Sequence, residues 1–192
     1  MTGGTRGPLV ARRDDCYETP PAAVKALLRV ETLPEVIWEC ACGPGAIVRQ
    51  LREVGHKVYA TDLVDYGCPD SESRIDFLME RHPGFHVGAI VTNPPFKLAC
   101  QFVTHALTLG VPQVFLLLRL GFYESQSRCA VLESRQLARI HVFRKRLPMM
   151  HRAGWKGRRL NTSRDSHAWF CWDIRHSGDT VIDRISWECN SS

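Results

Sequence analysis

Short apolar runs and helix-spaced apolar stripes take turns along this chain. Val36-Ile37-Trp38, Lys57-Val58-Tyr59-Ala60, Gly88-Ala89-Ile90-Val91 and the stretch Gln113 to Leu118 are too short for helices and read as buried strands. Val24, Leu27 and Leu28 recur at helical spacing after Thr19-Pro20, so Thr19 is expected to cap a helix whose first position is Pro20. Ile47, Leu51 and Val54 form a second stripe, which Gly55 should stop. Leu98, Phe102, Val103, Ala106 and Leu107 form a third. Glu124 to Leu137 reads as another helix, Arg139 to Phe143 as a sixth strand and Ser166 to Trp172 as a seventh, with an added edge strand over Val181 to Trp187. Strands that alternate with helices predict an α/β fold, a doubly wound, mostly parallel seven-stranded sheet with an antiparallel edge.

In such sheets ligands bind at the carboxyl ends of the strands, and three of those ends carry unusual chemistry. After Gly88 to Val91 comes Asn93-Pro94-Pro95-Phe96. Two prolines fix φ and hold the backbone extended. The Asn93 amide oxygen and the Pro94 carbonyl can then point the same way and accept both hydrogens of a planar amine. Phe96 offers a face on which a flat ring stacks. By itself Asn-Pro-Pro is equally a turn signal, and the motifs upstream tip the balance. Val36 to Trp38 leads into Glu39-Cys40-Ala41-Cys42-Gly43-Pro44-Gly45, an acid followed by a tight glycine turn where backbone can approach a ligand. The full dinucleotide signature is incomplete, because Val48 stands at its last glycine. The next strand ends at Thr61-Asp62, and an acid there can accept both hydroxyls of a ribose.

Together these residues resemble the class I S-adenosylmethionine-dependent methyltransferases, in the branch whose Asn-Pro-Pro-aromatic motif methylates amino groups. The stretch around Tyr17-Glu18-Thr19-Pro20 is similar to small phage-type adenine-N6 DNA methyltransferases. The resemblance implies a Rossmann-like sheet and S-adenosylmethionine as cofactor. It gives the cofactor's methionine part to Glu39, Gly43 and Gly45, with Ala41 where the family often has its first glycine. It gives the ribose to Asp62, the adenine to Asp76-Phe77 and the carboxylate end to Tyr17 and Thr19. Asn93, Pro94, Pro95 and Phe96 become the catalytic group, with Asn93 also beside the cofactor.

Length and composition set the frame for this reading. The chain has 192 residues, 44% hydrophobic and 23% charged, which suits one domain over residues 15–192 behind a flexible tail of residues 1–14. No apolar run is long enough to span a bilayer, and the start lacks a hydrophobic signal core, so no membrane partner and a cytoplasmic location are expected. Eight cysteines include no Cys-x-x-Cys pair, and several fall inside apolar patterns. Buried free thiols in a reducing compartment are expected, and no metal.

The net charge of +5 is modest, but its distribution is uneven. Arg139 to Arg164 contains Arg144, Lys145, Arg146, Arg152, Lys156, Arg158 and Arg159 and no acid, with Trp155, His141 and His151 interleaved. A basic loop over about residues 144–165 with an aromatic that can stack points to a nucleic-acid partner. The expected substrate contacts are Phe96, Lys97, Arg144, Lys145, Arg152, Trp155, Lys156, Arg158 and Arg159. The resemblance to phage-type enzymes favours adenine in DNA over RNA. RNA adenine, the cytosine N4 amine and a protein glutamine amide stay open as substrates. A non-catalytic binding module and a nicotinamide-dependent oxidoreductase stay open as rival functions. Trp169 and Trp172 are expected to pack in the core.

Overall fold

The computed structural model describes residues 18–81, 85–124, 129–148 and 165–188. In chain order the elements are α1 (Pro21–Val30), β1 (Val36–Glu39), α2 (Ala46–Glu53), β2 (Lys57–Asp62), β3 (Glu72–Ser73), β4 (Ala89–Thr92), α3 (Ala99–Thr108), β5 (Gln113–Arg119), α4 (Cys129–Leu132), β6 (Leu137–Phe143), β7 (His167–Asp173) and β8 (Val181–Ile185). The strands form one sheet in the order β3-β2-β1-β4-β5-β7-β6-β8. β3, β2, β1, β4 and β5 run parallel to one another. β7 inserts antiparallel between β5 and β6, and β8 lies parallel to β6. The expected doubly wound sheet is present, and the edge strand read over Val181 to Trp187 is β8, the eighth strand.

Burial explains why these runs became strands. In β5 the pattern is unbroken from Val114 to Leu118, because both sheet faces are covered. Phe115 and Leu117 point to one side, into a core shared with Leu27 of α1, Leu51 of α2 and Trp169 of β7. Leu116 and Leu118 point to the other, into a core shared with Phe102 and Val103 of α3, Val131 of α4 and Trp172 of β7. Trp169 and Trp172 are buried, and their indole N–H groups donate to the carbonyls of Ala23 and Val131 at 3.0 and 2.9 Å. Each tryptophan thus joins a helix to the sheet. Cys40, Cys42, Cys68 and Cys171 are buried among these apolar groups as free thiols.

Three local expectations are corrected. Pro20, not Thr19, is the N-cap of α1, and the helix begins at Pro21. Val54 leaves the buried stripe: α2 ends at Glu53, Val54 is 57% exposed, and Gly55 turns the chain at φ 95°. Among the described residues, the helix read over Glu124 to Leu137 keeps only the four residues of α4. Arg135 breaks it at φ 57°, and Leu137 pairs with Trp172 as the first residue of β6. Sheet pairing and full burial of Leu137 outweigh local helix preference there.

Candidate active site

Strand order reverses between β1 and β4, so their carboxyl ends open a crevice. β1 brings Glu39 to it, the following turn Ala41 to Gly43, β2 Asp62, and the segment after β4 Asn93 and Pro95. These residues line one hollow of about 790 Å³, counting the solvent at its mouth. Glu18, Thr19, Ile75, Asp76 and Phe77 close its other walls.

The glycine turn is tied down by its neighbours. Cys42 N–H donates to the Thr61 carbonyl at 3.0 Å, and Gly43 N–H to Asp62 Oδ2 at 2.8 Å. Asp62 Oδ1 accepts from Val64 N–H at 3.0 Å. The carboxylate therefore shapes the turn while it lines the hollow. Gly45 has φ 83°, and a Cβ there would sit 2.6 Å from Cys68 Sγ. That glycine is demanded by the fold, and it does not line the hollow. Burial pushes the thiols of Cys40 and Cys42 up, which makes both packing groups rather than nucleophiles.

Glu39 is 1% exposed, and its Oε1 accepts the Ala41 N–H at 3.1 Å. Burial pushes its carboxyl up to about 8. Hydrogen bonds from Thr92 and the Ala41 amide oppose this, and the negative charge of Asp62 adds to it. A buried acid on a hollow, with its charge withheld, gains most from a cationic ligand.

Asn93 donates through Nδ2 to Thr19 Oγ1 at 3.1 Å. Thr19 is therefore a buried acceptor that couples the segment before α1 to the Asn-Pro-Pro wall. The amide's Oδ1 is buried in the wall. Pro94 is buried within the wall. Phe96 falls on the other side of it, in a second hollow with Leu118, Arg119, Phe122 and Asp165. Its ring face is covered by Arg119, whose Cζ stands 4.1 Å from the ring centroid. Phe96 therefore lines a different hollow from Asn93 and Pro95.

Asp76 caps a short 3-10 turn over Phe77–Met79 by accepting from Leu78 N–H at 3.1 Å, and both Asp76 and Phe77 reach the hollow. Phe77 is 2% exposed and packs edge-on against Trp38, so it serves the core as well. Lys97 is exposed. Arg144 donates to the Arg184 carbonyl at 3.2 Å, and Lys145 pairs with Glu188 at 2.5 Å, so both hold β8 and the segment after it. Tyr17, Arg152, Trp155, Lys156, Arg158 and Arg159 lie outside the described residues.

His141 does not belong to the basic loop. It is 3% exposed in β6, and its ring lies between Glu31 Oε1 at 2.7 Å and Asp183 Oδ1 at 2.6 Å. Arg139 grips the same Glu31 with Nε and Nη2. Burial alone would raise the Glu31 carboxyl, but bonds from His141 and Arg139 hold it below its ordinary range. Burial alone would likewise lower His141, and the two carboxylates raise it. Cys171 brings its sulfur within 4.8 Å of Glu31 and His141, a possible metal-ligand trio. Arg139 and protonated His141 already balance Glu31 and Asp183, so the cluster reads as a structural network.

No protein-family model matches this chain, and no curated protein matches its sequence. Solved structures do share its fold. It is similar to a modification subunit assigned to a type I restriction enzyme of Vibrio vulnificus YJ016, at 16% identity and a TM-score of 0.59 over 95% of this chain and 49% of that one. It thus spans about half the length of that protein. It is similar to the 23S rRNA methyltransferase ErmE, at 14% identity and a TM-score of 0.59 over 84% of this chain and 71% of that one. It is also similar to a predicted O-methyltransferase, Atu636 of Agrobacterium tumefaciens, at 14% identity and a TM-score of 0.56 over 88% and 86%. The chain has the Rossmann-like fold of methyltransferases. At these identities the likeness defines the fold; the acceptor must be argued from the site.

Proposed function

We propose that this chain transfers a methyl group from S-adenosylmethionine to the exocyclic amino group of a nucleic-acid base, with adenine N6 in DNA as the first choice. The observation that carries the reading is that Asn93 and Pro95 line the same hollow as Glu39, Gly43 and Asp62. The donor set fits the cofactor: a buried acid for a cationic part, Asp62 for vicinal hydroxyls, and Ile75 and Phe77 as apolar cover for a ring.

When bound, S-adenosylmethionine supplies an electrophilic methyl carbon. Glu39 and the Ala41 to Gly45 turn hold the methionine end, and Asp62 the ribose. Asn93 Oδ1 and the Pro94 carbonyl accept the two N–H groups of the amine. That draws the amine's lone pair out of the ring and stabilises the positive charge that develops on nitrogen, a preorganised electrostatic effect. The stiff proline wall contributes alignment. Asn93 is neutral and does not take the proton, which leaves to water. Lys97, Arg144, Lys145 and the basic residues Arg152, Lys156, Arg158 and Arg159 supply phosphate contacts, with Trp155 stacking. ErmE is named for action on rRNA and the Vibrio protein for a restriction enzyme, so both nucleic acids enter the test.

The experiment is incubation with radiolabelled S-adenosylmethionine and separate pools of DNA, RNA and protein. Label in adenine of DNA is expected. Label only in RNA or in protein glutamine replaces the acceptor. Cofactor binding without transfer to any pool turns the protein into a binding module.

A further inference from the structure

The proline wall separates two hollows, and the second holds a contact that methyl transfer by itself leaves unexplained. Arg119 ends β5 with its guanidinium 4.1 Å over the Phe96 ring. Its Nε pairs with Asp165 Oδ2 at 3.2 Å, and both side chains are about half exposed. Ser166 and Gly121 line the same hollow, and Leu120 N–H donates to the Ser166 carbonyl at 2.8 Å, which joins β5 to the start of β7. About 4 Å is the depth of one stacked layer, so a flat ring cannot enter between Arg119 and Phe96 while the guanidinium stays.

A second observation points to the same place. His167 pairs with Arg119 in the β5–β7 register, and its ring centroid lies 6.2 Å from that of Phe96. It is 2% exposed, and its Nδ1 donates to the Asp165 carbonyl at 3.2 Å. Its Nε2 is then an acceptor, buried and without a hydrogen-bond partner among the described residues. A buried acceptor without a donor is costly, so this corner of the sheet, beside the hollow, is strained as it stands.

We propose that Arg119 is the resident occupant of a nucleobase-stacking site on the far side of the proline wall from the cofactor hollow. Its flat guanidinium holds the Phe96 face until a nucleobase displaces it, and it then leaves Asp165 to pair with a phosphate beside that base. The role rests on the methyl-transfer reading for the kind of ring admitted, and deepens it by naming the residue that selects polynucleotide. A guanidinium suits both positions, since it stacks on aromatic faces and forks onto phosphate. A free nucleoside or a peptide amide must break the Arg119 contacts and supplies no phosphate in return, so both are disfavoured.

The test compares wild type with Arg119→Ala, Asp165→Asn and Phe96→Ala, each first checked for an intact melting transition. The probes are adenosine and a short single-stranded DNA containing one adenine, titrated separately. Arg119→Ala should bind adenosine about three- to tenfold more tightly, because the cation–π contact and a partly exposed ion pair no longer compete. It should bind the oligonucleotide about three- to tenfold more weakly, because a phosphate contact is lost. Asp165→Asn should tighten adenosine about twofold and keep the phosphate contact. Adding Phe96→Ala to Arg119→Ala should erase the gain. Unchanged affinities in Arg119→Ala, or both probes weakened alike, overturn the role. If wild type methylates nucleic acid in that case, only Arg119 is lost from the account. If wild type methylates no nucleic acid, the parent reading falls and this role with it.

Discussion

Glu39 at the end of β1 and Glu31 at the end of α1, packed against β6, are both carboxylates withdrawn from water, and they behave oppositely. Glu31 meets Arg139 and His141 and is held below its ordinary range. Glu39 meets only neutral donors and the like charge of Asp62, and burial holds it up at about 8. Burying a charge is costly unless a partner answers it. Around β6 and β8 the fold itself answers, and the acid is structural. At the end of β1 the answer is left to whatever enters the hollow, and the acid is available for function. The contrast separates two buried acids that look alike in a sequence.

The contrast can be broken or sharpened by substitution. The largest effect is expected on the hollow's chemistry. Asn93→Ala should lower methyl transfer about 100- to 1,000-fold, while the cofactor dissociation constant stays within about threefold; retained turnover in the label assay removes Asn93 from the chemistry. Next is the structural acid. Glu31→Gln leaves Arg139 without its carboxylate and His141 with Asp183 alone, and should cost about 2 kcal/mol in urea unfolding, less than a fully buried broken pair because Arg139 is 34% exposed and Asp183 remains. A loss near zero would mean the network contributes no coupling.

The network also has a pH window with a definite sign. The lowered Glu31 contributes stability that is present above its ordinary value of 4.5 and lost as pH falls through its folded value. The raised His141 contributes stability that is complete below its ordinary 6.5 and lost as pH rises through its folded value. Asp62→Ala should weaken the cofactor about tenfold, or about 1.4 kcal/mol, by removing a ribose contact and loosening the Gly43 turn; an unchanged dissociation constant measured by calorimetry counts against the ribose role.

The last change is read as a slope. The Glu39 carboxyl is raised from 4.5 to about 8 on folding, so the unfolded chain releases that proton first. The ligand-free protein should lose melting temperature as pH rises from about 5 to about 8, and Glu39→Gln should flatten that part of the profile. An identical profile in both proteins would mean that Glu39 ionises without penalty, and the contrast with Glu31 would vanish.

Much of this was legible in the chain. Strand and helix periods are local properties, so β1, β2, β4, β5 and β7 fall where the apolar runs lie. Glu39, Asp62 and Asn93 were recognisable because each is a polar residue that ends such a run. The misses have a common origin. His141 looks like part of a basic stretch, but its partner Glu31 is 110 positions away. Arg119 carried a faint signal, a cation at the end of an apolar run, but its stacking on Phe96 follows only once β4 and β5 are side by side. Thr19 has the residue type of a cap, and became instead the acceptor for Asn93, 74 positions on.

The amino-acid order alone determined the class of fold, the ends of strands at which chemistry sits, and the stiffness of the proline wall, because backbone sterics and apolar periodicity act between near neighbours. Tertiary structure decided which acid is answered within the protein, which side of the wall Phe96 faces, and that Arg119 covers it. Those outcomes depend on burial and on charges brought together across the sheet, and neither exists until distant strands pair.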